Sequence, residues 1–197
     1  MNTPNKLTVL RLILVPFYVF FLLMPSIPHH YIIAILLFGA AAYTDHLDGK
    51  LARKYNMITD FGKFADPLAD KIMILAALAC FIQVGLTNAI VLIIIISREF
   101  IVTSIRLVAS SQGKVVAANN WGKAKTISQI AAVLVVMLLQ YILELHSLKC
   151  ITLGNVAACT YWFDIAGDIL LWISVILTLL SGTIYVIQNF DFIKSAK

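Results

Sequence analysis

Four aspartates at regular spacing are the residues of this chain best suited to chemistry. They lie in the stretch TDHLDGKLARKYNMITDFGKFADPLADK and are Asp45, Asp48, Asp66 and Asp70. The first pair is three residues apart and the second pair four apart, so each pair falls on one face of a helix. Carboxylate oxygens from two facing helices suit hard divalent cations. Two cations bridged in this way can hold a diphosphate and stabilise charge during its displacement.

The spacing alone leaves three interpretations of these acids. The first is a structural ion-pair network with the neighbouring Lys and Arg residues, the second is a proton or cation pathway, and the third is a metal-phosphate site. Exposure to lipid is excluded, because about 2.5–3.5 kcal/mol for each central Asp amounts to about 10–14 kcal/mol for four. The small residues Gly49, Ala52 and Gly62 allow helices to approach closely and leave space for a ligand.

The apolar composition of the chain indicates which secondary-structure elements position these acids. The 197-residue chain is 61% hydrophobic, with a mean hydropathy of +0.93, whereas soluble domains are about 45–50% apolar. We therefore expect an integral membrane protein, long enough for about six spans of about 20 residues. Backbone groups in lipid must be satisfied within their own segment, so the spans are predicted to be helices. The first apolar run lacks an A-x-A-like cleavage site and is interpreted as a retained span.

The predicted fold class is an all-α membrane protein with six transmembrane helices in one membrane-embedded domain, residues 1–197. The helices are predicted at about 8–26, 31–54, 62–85, 88–109, 122–145 and 162–188. A cytoplasmic N-terminus places 14 of the 15 basic residues inside and only Lys149 outside, as the positive-inside rule requires. Both termini and the aspartate stretch are then expected at the cytoplasmic face of the cell membrane. The net charge of +5 fits an anionic inner leaflet and needs no nucleic-acid partner.

The aspartates belong to a longer pattern: Asp45-x2-Asp48-Gly49-x2-Ala52-Arg53, eight residues, then Gly62-x3-Asp66-x3-Asp70. This pattern resembles the complete signature of the CDP-alcohol phosphotransferase family. The resemblance implies the fold of that family and transfer of a phosphatidyl or similar group from a CDP-linked donor to an alcohol, with release of CMP. It also implies that the four acids bind two divalent cations, Mg²⁺ or Mn²⁺, and that Asp70 is the general base.

The same resemblance implies a binding site for the CDP-linked donor. Its expected residues are Asn5, Thr8, Gly49, Ala52, Arg53, Thr59 and Gly62. Simpler roles remain open for three of them. Asn5 and Thr8 are also suited to capping the first helix, and Thr59 to a turn. The resemblance assigns no role to His46.

Basic residues that follow the acidic motif are candidates for the acceptor site. Arg98 and Arg106 are eight residues apart, about two helical turns, and Lys125 opens the next apolar segment. These three side chains suit a phosphate on the acceptor alcohol, whereas Glu99 is expected to point elsewhere. The alternative is that they neutralise the aspartates or anchor the helices at the inner face.

The segments REFIVT and GKAKT, with an Arg between them, resemble the branch of the family that uses glycerol 3-phosphate. This resemblance implies that the sn-1 hydroxyl of glycerol 3-phosphate attacks CDP-diacylglycerol, as a step of phospholipid biosynthesis. Two alternatives stay open: another acceptor (serine, inositol phosphate or phosphatidylglycerol), or a small cation transporter. The expected partners are both substrates and the bilayer. Dimers are common in the family, so a second copy of this chain is a further candidate partner. No sequence feature identifies the interface of such a homodimer.

The outer loop, residues 146–162, has no role that the sequence assigns. It contains Cys150 and Cys159, which can pair or remain free thiols. Asp164 and Asp168 follow it and are expected to line a wet outer surface rather than to bind a catalytic metal.

Overall fold

The computed structural model describes residues 3–55, 60–111 and 120–189, with side chains described over 7–44, at Ala69, and over 71–109 and 120–189. These residues form helices and connecting turns, without a strand among them. The helices are α1 (Thr3–Leu23), α2 (His30–Tyr55), α3 (Asp60–Gln83), α4 (Ala89–Ser111), α5 (Asn120–Ser147) and α6 (Val156–Gln188). The expectation of an all-helical chain is confirmed for this part of the protein.

Local sequence explains several helix ends. Asn88 caps α4, because its side-chain oxygen accepts hydrogen bonds from the backbone N–H groups of Ile90 at 3.0 Å and Val91 at 3.3 Å. Gly85 lies in the left-handed region with φ of 79° and reverses the chain between α3 and α4. Asn155 caps α6 by accepting from the N–H of Ala158 at 3.1 Å. This cap starts α6 six residues before the predicted position 162 and shortens the outer loop accordingly.

The N-terminus of α2 is capped by a side chain from another helix. Both carboxylate oxygens of Glu144 on α5 accept hydrogen bonds there, from the N–H of His30 at 2.9 Å and of Tyr31 at 3.2 Å. A carboxylate at this position satisfies otherwise unpaired donors and is favoured by the helix dipole. Glu144 therefore fixes the N-terminal end of α2 against α5.

The helices pack around one large apolar core. α1 packs against α2 and α3, α4 packs against α3 and α6, and α5 packs against α2, α3 and α6. The core includes the fully buried side chains of Tyr18, Phe38 and Phe81. The Tyr18 and Phe38 rings meet edge to face at 5.7 Å, and the Tyr18 hydroxyl donates to the Met73 carbonyl at 3.1 Å. α1 is therefore held against both helices that carry the aspartate motif.

Polar side chains lie inside the bundle while large apolar side chains lie on its surface. Gln129 is buried and donates to Thr178 Oγ1 at 3.1 Å across the contact between α5 and α6. Leu36, Phe100 and Ile127 are each about two-thirds exposed, at 65%, 66% and 68%. Interior polar contacts beneath an apolar exterior are typical of helices surrounded by lipid. The chain is accordingly a membrane protein.

Within the described residues, two helices, α5 and α6, are long and apolar enough to cross a bilayer by length and composition. α4 is shorter, with 23 residues, and carries Arg98, Glu99 and Arg106. Shorter apolar stretches occur at Leu7–Leu23, His30–Thr44 and Lys71–Gln83. The six-span topology therefore stays a prediction.

Candidate active site

The aspartate motif occupies the ends of α2 and α3 that adjoin the 56–59 connection. Asp45 and Asp48 lie on α2, and Asp66 and Asp70 lie on α3. The backbone is helical through both halves of the aspartate motif. The two positions of each aspartate pair therefore lie on one face of their helix, as the spacing predicts. The two helices contact each other, and both pack against α1. The backbone is thus helical through both pairs of aspartates, and the convergence of their side chains stays a prediction.

Several predicted site residues fall outside the part that the structure describes. Thr59 lies in the gap between α2 and α3. For the others only the helical backbone position is described; they are Asn5, Asp45, Asp48, Gly49, Ala52, Arg53, Gly62, Asp66 and Asp70. Coordination of divalent cations by the four acids and the contacts to the CDP-linked donor therefore stay predictions. The carboxylate donor set itself fits Mg²⁺ or Mn²⁺, because both prefer oxygen ligands.

The N-terminal residues of the predicted donor site lie within α1. Because α1 begins at Thr3, neither Asn5 nor Thr8 occupies the N-cap position, and the interpretation of these residues as helix caps is wrong. Thr8 is completely buried, and so is Arg11, one turn later on the same helical face. Arg11 is one of the 14 basic residues that the positive-inside rule assigns to the inner face. Its complete burial distinguishes it from a charge that anchors a helix at the membrane surface.

A cluster of charged side chains lies beside the aspartate motif, between α3, α4 and α5. The Glu99 carboxylate on α4 binds Arg98 Nη1 at 3.0 Å and also accepts a hydrogen bond from the Lys125 ammonium on α5. Lys71 Nζ on α3 lies 4.0 Å from the other Glu99 oxygen. We call Lys71, Arg98, Glu99 and Lys125 the Glu99 cluster. The expectation that Glu99 points away from the basic residues is wrong.

The Glu99 cluster lies at the same level of the bundle as the predicted general base. Lys71 directly follows Asp70, and neighbouring helical residues differ by about 1.5 Å along the axis. Lys71 also donates a hydrogen bond to Thr103 Oγ1, which in turn donates to the Glu99 carbonyl at 2.7 Å. The predicted acceptor residues Arg98 and Lys125 are thus brought together, and Lys71 joins them.

A small cavity lined by both polar and apolar side chains adjoins this cluster. It has a volume of about 40 Å³ and is lined in part by Lys71, Glu99, Lys125 and Gln129. A cavity of 10–15 Å³ already holds one water, so this one has space for about three. Lys71 and Lys125 therefore border a space large enough for water near the end of α3 that carries Asp70.

Arg98 and Arg106 both lie against α6, but they make different contacts. Arg98 Nη2 donates to Ser181 Oγ, while its alkyl stem crosses Gly182, where a Cβ atom would lie 2.9 Å from Arg98 Cγ. The Arg106 guanidinium lies over the Tyr185 ring at 6.0 Å, a cation–π distance. Arg106 follows Arg98 by eight residues, about 12 Å along α4. Among the described contacts, Arg106 is outside the Glu99 cluster that joins the other two predicted acceptor residues.

One of the two acids that follow the outer loop, Asp164, makes a structural contact. Asp164 accepts a hydrogen bond from Gln140 at 3.0 Å, which connects α6 to α5. The nearby Cys150 is exposed, and Cys150 and Cys159 are both free thiols, so they do not pair. Asp164 and Asp168 lie at the end of α6 remote from Arg98 and Ser181, which agrees with a role outside the catalytic site.

Comparisons with known proteins agree with the motif. Residues 1–180 match the family model described as CDP-alcohol phosphatidyltransferase. A Bacillus subtilis (strain 168) protein named CDP-diacylglycerol--glycerol-3-phosphate 3-phosphatidyltransferase is 40% identical, over 99% of this chain and 98% of its own length. Proteins with the same name from Pseudomonas fluorescens (33% identical, covering 87% and 86%) and Rickettsia bellii strain RML369-C (30%, covering 93% and 93%) also match. The chain belongs to the CDP-alcohol phosphatidyltransferase family.

Proposed function

We propose that this protein is a phosphatidylglycerophosphate synthase. In this reaction the phosphatidyl group of CDP-diacylglycerol is transferred to the sn-1 hydroxyl of glycerol 3-phosphate, giving phosphatidylglycerol phosphate and CMP. The observation that carries the proposal is the 40% identity, over essentially the full length of both chains, to a relative named for this activity. The Glu99 cluster adds support, because its basic side chains suit an acceptor that carries a phosphate.

In the proposed chemistry the sn-1 oxygen of glycerol 3-phosphate forms a bond to the phosphorus that bears diacylglycerol. The bond between that phosphorus and the bridging oxygen breaks, and its electron pair leaves with CMP. The Asp70 carboxylate takes the proton of the attacking hydroxyl. A carboxylate is a weak base, so the transfer depends on holding the hydroxyl within hydrogen-bonding distance and in line with the donor phosphorus.

The four aspartates are the proposed ligands of two divalent cations, Mg²⁺ or Mn²⁺. Bound there, the cations would neutralise the diphosphate and the charge that develops as CMP leaves. Asp45 and Asp48 would hold them from α2, and Asp66 and Asp70 from α3. Arg53, with its planar guanidinium, is proposed to bind a donor phosphate, while Gly49 allows close approach of the α2 backbone to the nucleotide.

The proposed setting is the cytoplasmic membrane, with six spans, both termini inside and the active site at the cytoplasmic face. The distribution of basic residues supports this orientation. It places the aspartates where a lipid-tailed donor in the inner leaflet meets a water-soluble acceptor. Lys149, the single basic residue assigned to the outside, lies in the turn after α5.

An acceptor screen tests the proposed function. Purified protein is incubated with CDP-diacylglycerol, Mg²⁺ and one candidate acceptor at a time, and CMP release is measured. We expect release with glycerol 3-phosphate and not with serine, inositol phosphate or phosphatidylglycerol. Release with another acceptor would contradict the proposed substrate. The absence of release with any acceptor and either metal would contradict the enzymatic function and favour a transporter.

A further inference from the structure

A single carboxylate joins three basic side chains from three helices. Glu99 on α4 binds Arg98 on its own helix, Lys125 on α5 and Lys71 on α3. The Glu99 side chain is 13% exposed and that of Lys125 is 6% exposed. Ion pairs at this depth are screened little by solvent and fix the geometry of their members. The relative positions of the three cations therefore depend on Glu99.

We infer that Glu99 is a positioning residue for the acceptor site, where it holds Lys71, Arg98 and Lys125 at a spacing that binds a phosphomonoester. This inference rests on the proposed function and names the residue that gives the site its acceptor class. Glu99 does not bind the acceptor phosphate, because two anions repel each other. It acts through the cations that it arranges.

The charge of the Glu99 cluster supports this assignment. Within the cluster, basic side chains outnumber the carboxylate by three to one. Basic side chains of this kind form charge-assisted hydrogen bonds with phosphate oxygens. The cluster therefore favours an acceptor that carries a phosphate.

The cavity beside the Glu99 cluster gives phosphate oxygens a space next to two of its cations. Lys71 and Lys125 line this cavity together with Glu99, and its volume of about 40 Å³ has space for about three water-sized groups. Arg98 lies outside the cavity lining and is connected to it through the contact of its Nη1 with Glu99.

The test compares Glu99→Gln with Glu144→Gln. Gln keeps the shape of Glu and removes its charge. Glu144 is a matched control, since its side chain is also nearly buried, at 8% exposed, and it caps α2 at the other end of the bundle. We expect Glu99→Gln to raise KM for glycerol 3-phosphate at least tenfold while KM for CDP-diacylglycerol stays within twofold. Glu144→Gln should lower thermal stability and leave both KM values within twofold.

Inorganic phosphate provides a second readout on the same proteins. It should inhibit the wild type competitively with glycerol 3-phosphate, and its inhibition constant should rise in Glu99→Gln by the same factor as KM. If Glu99→Gln does not fold, Glu99→Asp keeps the charge but shortens the side chain, and a three- to tenfold rise in acceptor KM is expected. An unchanged acceptor KM or phosphate inhibition constant in the folded variant would overturn the inference. An equal rise in Glu144→Gln would also overturn it.

CMP release by the wild-type protein distinguishes a failure of this inference from a failure of the proposed function. If wild-type protein releases no CMP with glycerol 3-phosphate, the proposed function fails and the inference fails with it. If the wild type is active and Glu99→Gln has normal kinetics, the function stands and only the role of Glu99 is contradicted.

Discussion

Lys125 on α5 donates a hydrogen bond to the Glu99 carboxylate on α4, and the same carboxylate oxygen binds Arg98 at 3.0 Å. This contact joins two segments that the sequence singles out separately, REFIVT and GKAKT. Through Lys71, which directly follows Asp70, it connects two of the three predicted acceptor residues, Arg98 and Lys125, to the helix that carries Asp70. The catalytic and acceptor regions can thus be tested as one site.

Replacing the predicted general base should stop the reaction without preventing donor binding. Asp70→Asn keeps the size of the side chain but is not expected to accept the proton of the acceptor hydroxyl. We expect kcat to fall by about 10²–10⁴-fold, while the Kd for CDP-diacylglycerol changes by less than about threefold. Single-turnover CMP release and equilibrium donor binding measure the two effects. Near-normal turnover would rule out Asp70 as the base.

Removal of divalent cations should abolish turnover reversibly. The four aspartates are proposed to hold two cations that neutralise the donor diphosphate, so CMP release should stop in EDTA. Excess Mg²⁺ or Mn²⁺ should restore it to wild-type protein, whereas an Asp48→Asn variant should require a higher metal concentration. Full turnover in EDTA-treated, metal-free protein would contradict the metal site.

A methyl group at residue 182 should disturb the acceptor site through Arg98. In Gly182→Ala the new Cβ would lie 2.9 Å from Arg98 Cγ, an atom near the backbone that cannot easily move away. We expect KM for glycerol 3-phosphate to rise about five- to tenfold as the guanidinium is displaced, with KM for CDP-diacylglycerol nearly unchanged. Steady-state kinetics with each substrate varied in turn measure this difference.

Gly39→Ala is the matched control for this substitution. Gly39 also lies within a helix, and a Cβ there would meet no atom within 4 Å. Both substitutions gain about 0.8–1.0 kcal/mol of helix propensity, so only the contact with Arg98 distinguishes them. If the two variants had the same acceptor KM, Gly182 would have no role in positioning Arg98.

Chemical labelling of the native cysteines tests the proposed orientation of the helix bundle in the membrane. Cys150 is exposed in the turn after α5, whereas Cys80 is buried within α3. A membrane-impermeant maleimide added to intact cells should label Cys150 and leave Cys80 unlabelled. Labelling should fall in Cys150→Ser, with the remainder at the partly exposed Cys159. If Cys150 reacted only after the membrane was made permeable, the proposed orientation of the bundle would be reversed.

The sequence could predict the helical motif because the information is local. The spacing of Asp45 and Asp48, and of Asp66 and Asp70, depends only on helical periodicity, which long apolar segments support. The predicted start of α6 at residue 162 was six residues late. Asn155 precedes the small and apolar residues Val156, Ala157 and Ala158, so a helix start there was available as a local signal. The structure confirms the cap through the hydrogen bond from the Ala158 N–H.

The role of Glu99 could not be derived from spacing. Adjacent helical residues point about 100° apart, which separates Glu99 from Arg98 on a helical projection. The Arg98 side chain is nevertheless long enough to contact the Glu99 carboxylate. The other two partners of Glu99, Lys71 and Lys125, come from other helices. Their convergence depends on how α3, α4 and α5 pack, which single-sequence periodicity does not specify.

The central claim is that glycerol 3-phosphate becomes part of the lipid product. The most direct measurement supplies glycerol 3-phosphate labelled with ¹³C in the glycerol carbons, together with unlabelled CDP-diacylglycerol and Mg²⁺, and follows the label by mass spectrometry of the lipid extract. We predict labelled phosphatidylglycerol phosphate in amounts equal to the CMP released by the wild type, and formation of the labelled lipid at a rate lower by about 10²–10⁴-fold in Asp70→Asn. CMP release without label in the lipid fraction, or label in the lipid made by Asp70→Asn at the wild-type rate, would contradict the proposed reaction.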